Sequence, residues 1–340
     1  MPPEPSERVD VGALARELAA ALGVDHKRDI QAVARALPTL RGGPWGAAEV
    51  RIGDDTAAIP DGDGYLLLAA EGIWPELVAS EPWFAGYCAV MVNASDVYAM
   101  GGRPLAIVDA LFAGSADAAQ PLLRGMADAA ERFGVPIVGG HTNLHSPYPA
   151  LAAAVLGRAR RLLTSFDARP GDDLVVAVDL RGRMHARHAF WNASDDASPA
   201  RLRADYALLP RIAEEGMAVA AKDISMGGIA GTALMLCEAS RVGATLRLDA
   251  IPRPPGVPWS RWLQAFPSFG FLLAVPPADS ARLCAAFAAR DISAAVAGRF
   301  DDTRRLSLTA GHGHSQGHSG EIWDLGARPL TGFDGRSRVP

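Results

Sequence analysis

Glu81-Pro-Trp-Phe-Ala-Gly-Tyr-Cys-Ala-Val-Met-Val-Asn-Ala-Ser-Asp-Val-Tyr-Ala-Met-Gly-Gly-Arg-Pro104 is the stretch on which the fold of this 340-residue chain turns. Pro82 suits the first turn of a helix, where its missing N–H costs nothing. Gly101-Gly102 and Pro104 stop the helix near residue 100. Between them Met91, Val92, Ala94 and Val97 surround two polar residues, Asn93 and Asp96. These are three apart and share one face. An unpaired charge on a buried helix is costly, so the pair needs partners. Metal coordination supplies one kind of partner; solvent access, with two ordinary polar groups, is the other reading.

Upstream, residues 11–37 read as one or two helices, with Leu14, Leu18, Ala21 and Leu22 on one face and a break at Gly23. Residues 41–46 hold four chain breakers and read as a loop. A short strand is expected at 49–52, with Gly53-Asp54-Asp55 turning out of it. Asp61-Gly62-Asp63-Gly64 has hairpin chemistry, and 65–70 is the returning strand, ending at Glu71. Downstream, strands are expected at 105–111, 135–140 and 151–157, with an amphipathic helix over 116–133. Alternation of this kind marks α/β layers. A turn at 169–173, a strand at 174–178, a polar loop at 181–199 and further helices and strands follow, the 223–228 segment leading into a helix. The expected class is α/β (α+β) in two domains, 1–163 and 164–340.

Composition narrows the function classes. A net charge of −5 with no dense basic run argues against nucleic acid as a partner. No apolar run is long enough for a bilayer, and the N-terminus lacks signal-peptide character, so a cytoplasmic location is expected. Lys27 and Lys222 are the only lysines in an Arg-, Ala- and Gly-rich chain. Cys88, Cys237 and Cys284 are widely spaced in apolar surroundings and read as core thiols, not a disulfide framework.

The chain has no G-x-x-x-x-G-K-[ST], no G-x-G-x-x-G between strand and helix and no H-E-x-x-H. A nucleotide would therefore be held through magnesium on carboxylates. Asp54, Asp55, Glu71, Asn93 and Asp96 are candidates.

The N-x-x-D-x-x-x-M-G-x-x-P pattern from Asn93 to Pro104 resembles the signature helix of the aminoimidazole ribonucleotide (AIR) synthetase superfamily. That group includes thiamine-monophosphate kinase, selenophosphate synthetase, a hydrogenase-maturation dehydratase and formylglycinamidine synthase. Three further segments agree in order: Gly53-Asp54-Asp55, Val138-Gly139-Gly140-His141-Thr142, and Asp223-Ile224-Ser225-Met226-Gly227-Gly228. The resemblance implies an ATP- and magnesium-dependent kinase or synthetase acting on a small molecule. It also implies a homodimer whose N-terminal domains form a shared barrel near the ATP. Asp54, Glu71 and Asp96 are the implied magnesium ligands. Asp55, Asn93, Gly139, Gly140 and Thr142 are the implied nucleotide contacts. His141, near the acceptor, and Asp223, a carboxylate from the second domain, are the implied catalytic residues.

The chain also departs from the family pattern. Ala70-Glu71 replaces Thr-Asp, and Met226 replaces an Asp. No reactive Cys and Lys in a glycine-rich loop precede Asp54, which argues against selenide as substrate. A second reading is a nucleotide-binding module that has lost turnover and regulates a partner. Trp74 and Trp83 can stack on a substrate ring or simply pack. His185 and His188 sit in the polar loop, and His312, His314 and His318 in a Gly/Ser tract that resembles a metal-binding one.

Overall fold

In the computed structural model of the chain, residues 9–36, 50–311 and 319–334 are described. The 41–46 loop and His312, His314 and His318 lie outside them.

Five strands make the first sheet: β1 (Ala57–Asp61), β2 (Gly64–Gly72), β3 (Arg103–Phe112), β4 (Ile137–Asn143) and β5 (Ala150–Ala159). Their order is β1-β2-β5-β3-β4, with β3 and β4 parallel and the other pairs antiparallel. The Asp61–Gly64 hairpin forms as its residues require, with Gly62 at φ +60°. Residues 50–51 have no regular structure and 52–56 are bends, so no strand forms over the described part of 49–52; the hairpin's first arm is β1. β1 holds Pro60, which argues against a strand in general but is tolerated on an edge, where β1 lies.

One face of this sheet carries Leu67, Ile107 and Val155, all fully buried. The Pro82–Ala99 helix covers that face, with the Ala116–Phe133 helix beside it. These two helices approach closely because glycine faces backbone at both crossings. A Cβ on Gly86 would fall on the Leu122 carbonyl, and one on Gly125 on the Trp83 carbonyl. No described element covers the other face, which leaves Leu68, Val108 and Leu156 exposed at 48%, 43% and 39%. The sheet is open, and no closed barrel forms among the described residues.

The second half builds ten strands: β6 (Asp173–Val178), β7 (Arg183–Met184), β8 (Phe190–Asn192), β9 (Ala220–Asp223), β10 (Gly243–Arg247), β11 (Phe266–Pro267), β12 (Gly270–Val275), β13 (Ser293–Asp301), β14 (Arg305–Thr309) and β15 (Ser319–Asp324). Seven form a mixed sheet, β15-β14-β10-β13-β6-β12-β9, and three a small one, β11-β8-β7. β6 and β12 alternate between two cores. Ala177 and Phe271 join the cluster around the Pro82–Ala99 helix, while Val176 and Leu272 join a second cluster with the Gly228–Ser240 helix. The Pro82–Ala99 helix therefore lies between layers and is buried almost all round.

Two expectations change. The 181–199 segment is not a polar loop. It contains β7 and β8, and Phe190 and Trp191 are core residues, with Trp191 Nε1 donating to the Asp179 carbonyl at 2.8 Å. The Val11–Ala19 helix buries Val11, Leu14 and Leu18 in the second cluster, against β15, although the 1–163 division groups it with the first sheet. Cys88 and Cys237 are buried free thiols and Cys284 is half-buried. Among the described residues no helix is long and apolar enough to cross a membrane.

Candidate functional site

Three carboxylates from distant parts of the chain meet beside the Pro82–Ala99 helix. Asp55 comes from the bend before β1, Asp96 from the helix and Asp223 from the end of β9. One oxygen from each lies within 4.8 Å of the others. Gly53 makes the bend possible. Its φ is +107°, and a Cβ there would strike the Phe333 ring.

The two aspartates of the bend diverge. Asp54 turns toward Ser165, whose N–H donates at 2.9 Å and whose hydroxyl donates at 2.5 Å. Asp55 turns toward Lys222 and accepts from its ammonium; both side chains are nearly fully buried. The Asp223 N–H also donates to Asp55, at 3.4 Å. The structure therefore brings Asp55, Asp96 and Asp223 together, while Asp54 braces the bend from behind.

The electrostatics follow from burying this much charge. Asp54 is pushed up to about 6, by burial first and then by the Asp55 charge, against Lys222 and the Ser165 bonds. Asp223 is pushed up to about 7 by burial and Asp55, against Lys222 and Lys27. Asp96 lies well above the ordinary carboxylate range through burial, Asp223, Glu71 and Asp55. Burial opposes the Lys222 charge, but Asp55, Asp54 and Asp223 outweigh it and hold its pKa high.

A hard divalent cation fits this site. Asp96 Oδ2 and Asn93 Oδ1 are buried and have no hydrogen-bond partner, while Asn93 Nδ2 is satisfied by the Ala89 carbonyl at 2.8 Å. Oxygen acceptors left unpaired beside clustered carboxylates are costly unless a cation takes them. Magnesium takes oxygen ligands of this kind, and Asp55, Asp96 and Asp223 would hold it.

The cluster opens into a cleft of about 390 Å³. Glu71 stands at its mouth, open to solvent on one side. Protein crowding raises its carboxyl, with Lys27 opposing and Asp55 adding to the shift. Lys27 lines the same cleft, a contribution the sequence reading missed because its segment is helical and glycine-poor. Gly23 seats that segment on the Met226 carbonyl, where a Cβ would clash. One signal was available: both lysines of an arginine-rich chain stand at this site, where a compact ammonium suits crowded carboxylates.

His141, Gly139, Gly140 and Thr142 lie on the edge strand β4 and are exposed, outside the cleft. His141 pairs in register with Ala110, beyond Val108 on the uncovered face. Trp83 is structural, stacked on Tyr87 at 5.4 Å with its Nε1 donating to Asp128 at 2.8 Å. Trp74 lines the cleft. Met226 is 45% exposed at the position where the resemblance expects a carboxylate.

Known proteins agree with this architecture. The chain is 48% identical over 322 residues to "Uncharacterized protein sll0787" of Synechocystis sp., covering 94% of this chain and 98% of that protein. It is 31% identical over 216 residues to the thiamine-monophosphate kinase of Pyrococcus horikoshii, covering 59% and 67%. The solved structure of T. maritima PurL complexed with ATP superposes with a TM-score of 0.71 at 18% identity, over 96% of this chain. The chain spans about half of that larger protein, 52%. Residues 53–159 match the family described as AIR synthase related protein, N-terminal domain, and residues 169–311 its C-terminal domain. With both halves matched in order, the chain belongs to the AIR synthase related family.

Proposed function

We propose that this protein binds ATP through magnesium held by Asp55, Asp96 and Asp223, and uses it to activate an oxygen of a small-molecule acceptor. The carrying observation is the convergence of Asp55, Asp96 and Asp223 at the head of a cleft, with Asp96 Oδ2 buried and unpaired. Relatives named thiamine-monophosphate kinase and selenide, water dikinase support a phosphotransferase or synthetase. Bound magnesium would neutralise phosphate charge during transfer. Lys222 holds Asp55 in place, Lys27 offers a second cation at the cleft, and Glu71 stands ready at its mouth.

A homodimer belongs to this reading. The exposed Leu68, Val108 and Leu156 form an apolar sheet face with no cover among the described residues, and burying it against a second copy would remove it from water. His141 lies on that face, so its action near an acceptor would depend on pairing.

Isothermal titration with a non-hydrolysable ATP analogue, with magnesium and with EDTA, tests the proposal. Magnesium-dependent binding lost in Asp96→Asn is the expected result. Binding that ignores both magnesium and Asp96 would overturn it. ATP turnover by the same wild-type protein separates an enzyme from a binding module.

A further inference from the structure

We infer that the end of the cleft remote from the carboxylates is the acceptor subsite, and that it takes a small molecule with a flat apolar body and an anionic group. This rests on reading the acidic end as the nucleotide site.

The subsite is built around Glu81, the residue that precedes the Pro82–Ala99 helix. Arg187 Nη2 and Nε donate to Glu81 Oε1 at 2.6 and 3.0 Å. His185 Nε2 lies 3.1 Å from Glu81 Oε2. With His188, these groups have the ligand types and the spacing of a metal site. The backbone argues otherwise. The N–H groups of Arg187 and His188 both donate to His185 Nδ1, at 3.3 and 3.2 Å. That nitrogen must be unprotonated, so the proton sits on Nε2 and is donated to Glu81. A metal on Nε2 would displace that proton and leave the ring no N–H. The cluster is therefore a clamp that fixes the 185–190 segment.

What the clamp presents is a recognition surface. Arg187 and His188 both line the cleft. Arg187 spends only Nε and Nη2 on Glu81, and its Nη1 has no hydrogen bond among the described residues. His188 belongs to the clamp: its Nε2 is closed to solvent and lies 3.3 Å from Glu81 Oε1, and its ring is held between His185, stacked at 5.0 Å, and Trp74, edge-on at 6.0 Å. The unused Arg187 Nη1 group suits an anion. The walls are apolar: Ile73, Trp74, Leu77, Phe84 and Phe190. The cleft's size is that of a small-molecule site. A flat body against Trp74 and Phe84, with its anion at Arg187, would present its remaining end to the carboxylates.

Phenyl phosphate is the probe, titrated calorimetrically into the full chain in EDTA so that no magnesium bridges it to the carboxylates. Inorganic phosphate and benzyl alcohol are the half-probes and should bind more weakly. Arg187→Gln and Trp74→Ala should each weaken phenyl phosphate about tenfold or more, from the lost charge-assisted bond and ring contact. Trp74→Phe keeps a ring and should retain most of the affinity, which guards against a folding artefact. Asp96→Asn should leave this binding unchanged while abolishing magnesium-dependent binding of the ATP analogue. No phenyl phosphate binding, or binding that neither Arg187→Gln nor Trp74→Ala weakens, overturns the subsite. Binding that persists while the ATP analogue never binds retains the subsite and rejects the nucleotide reading.

Discussion

Lys222→Met tests the electrostatic account of the site most directly. Lys222 is 3% exposed and Asp55 4%, so the variant leaves a carboxylate in a dry place with the stem's packing preserved. Removing one partner of a buried ion pair costs about 3–5 kcal/mol. Asp54 and Asp223 also lose the cation that holds their pKa down, which adds to the cost. Proton uptake limits it, because the neighbouring Asp54 and Asp223 are pushed up to about 6 and about 7. The expected loss is therefore at the lower end, about 3 kcal/mol at pH 7, and smaller at pH 5.5. Urea unfolding in EDTA, followed by tryptophan fluorescence, measures it. Magnesium should restore more stability to the variant than to the wild type, since a divalent cation supplies the missing charge. Adding Asp55→Asn should recover more than half of the loss, because the orphaned charge is then gone. A Lys222→Met protein within about 0.5 kcal/mol of wild type, the range of inert surface changes, would refute the reasoning.

Three further outcomes are expected. Asp54 and Asp223 titrate in the folded protein at about 6 and about 7, above their ordinary 3.8, so the folded state holds extra protons between about pH 4 and 7. This contribution to the stability of the metal-free protein is present at the acid end of that window and lost as pH rises through it; a thermal midpoint in EDTA that rises monotonically from pH 5 to pH 7.5 would contradict this. Gly125→Ala forces a methyl onto the Trp83 carbonyl and should destabilise the protein by about 2 kcal/mol or more in the same urea assay, with an unchanged midpoint as the contrary result. Burial raises the pKa of Cys88 and Cys237, so a disulfide reagent should label at most the half-buried Cys284 before unfolding; rapid native labelling at Cys237, found by peptide mapping, would count against the packing described.

The Pro82–Ala99 helix, the 116–133 helix and the Asp61–Gly64 turn were legible because each is decided within a few residues: proline and glycine set the ends, and spacing sets the face. The polar pair Asn93 and Asp96 was legible for the same reason, as an oddity on an apolar helix. Other features depended on contacts between distant residues. Neighbours in a bend point different ways, so only the tertiary structure sent Asp54 to Ser165 and Asp55 to Lys222, Asp96 and Asp223. The face that His141 occupies follows from its register with β3, and strand pairing is not local. The 181–199 segment looked polar because its charged residues outnumber Phe190 and Trp191, yet those two rings set its place in the core. Lys27 carries no motif and reaches the cleft because Gly23 lets its segment rest on Met226, more than 200 residues away. Local chemistry in the sequence identified the elements and most of the carboxylates. Which of them share one pocket was decided by burial and long-range pairing, because a site made from the bend before β1, a helix and β9 exists only once those layers close.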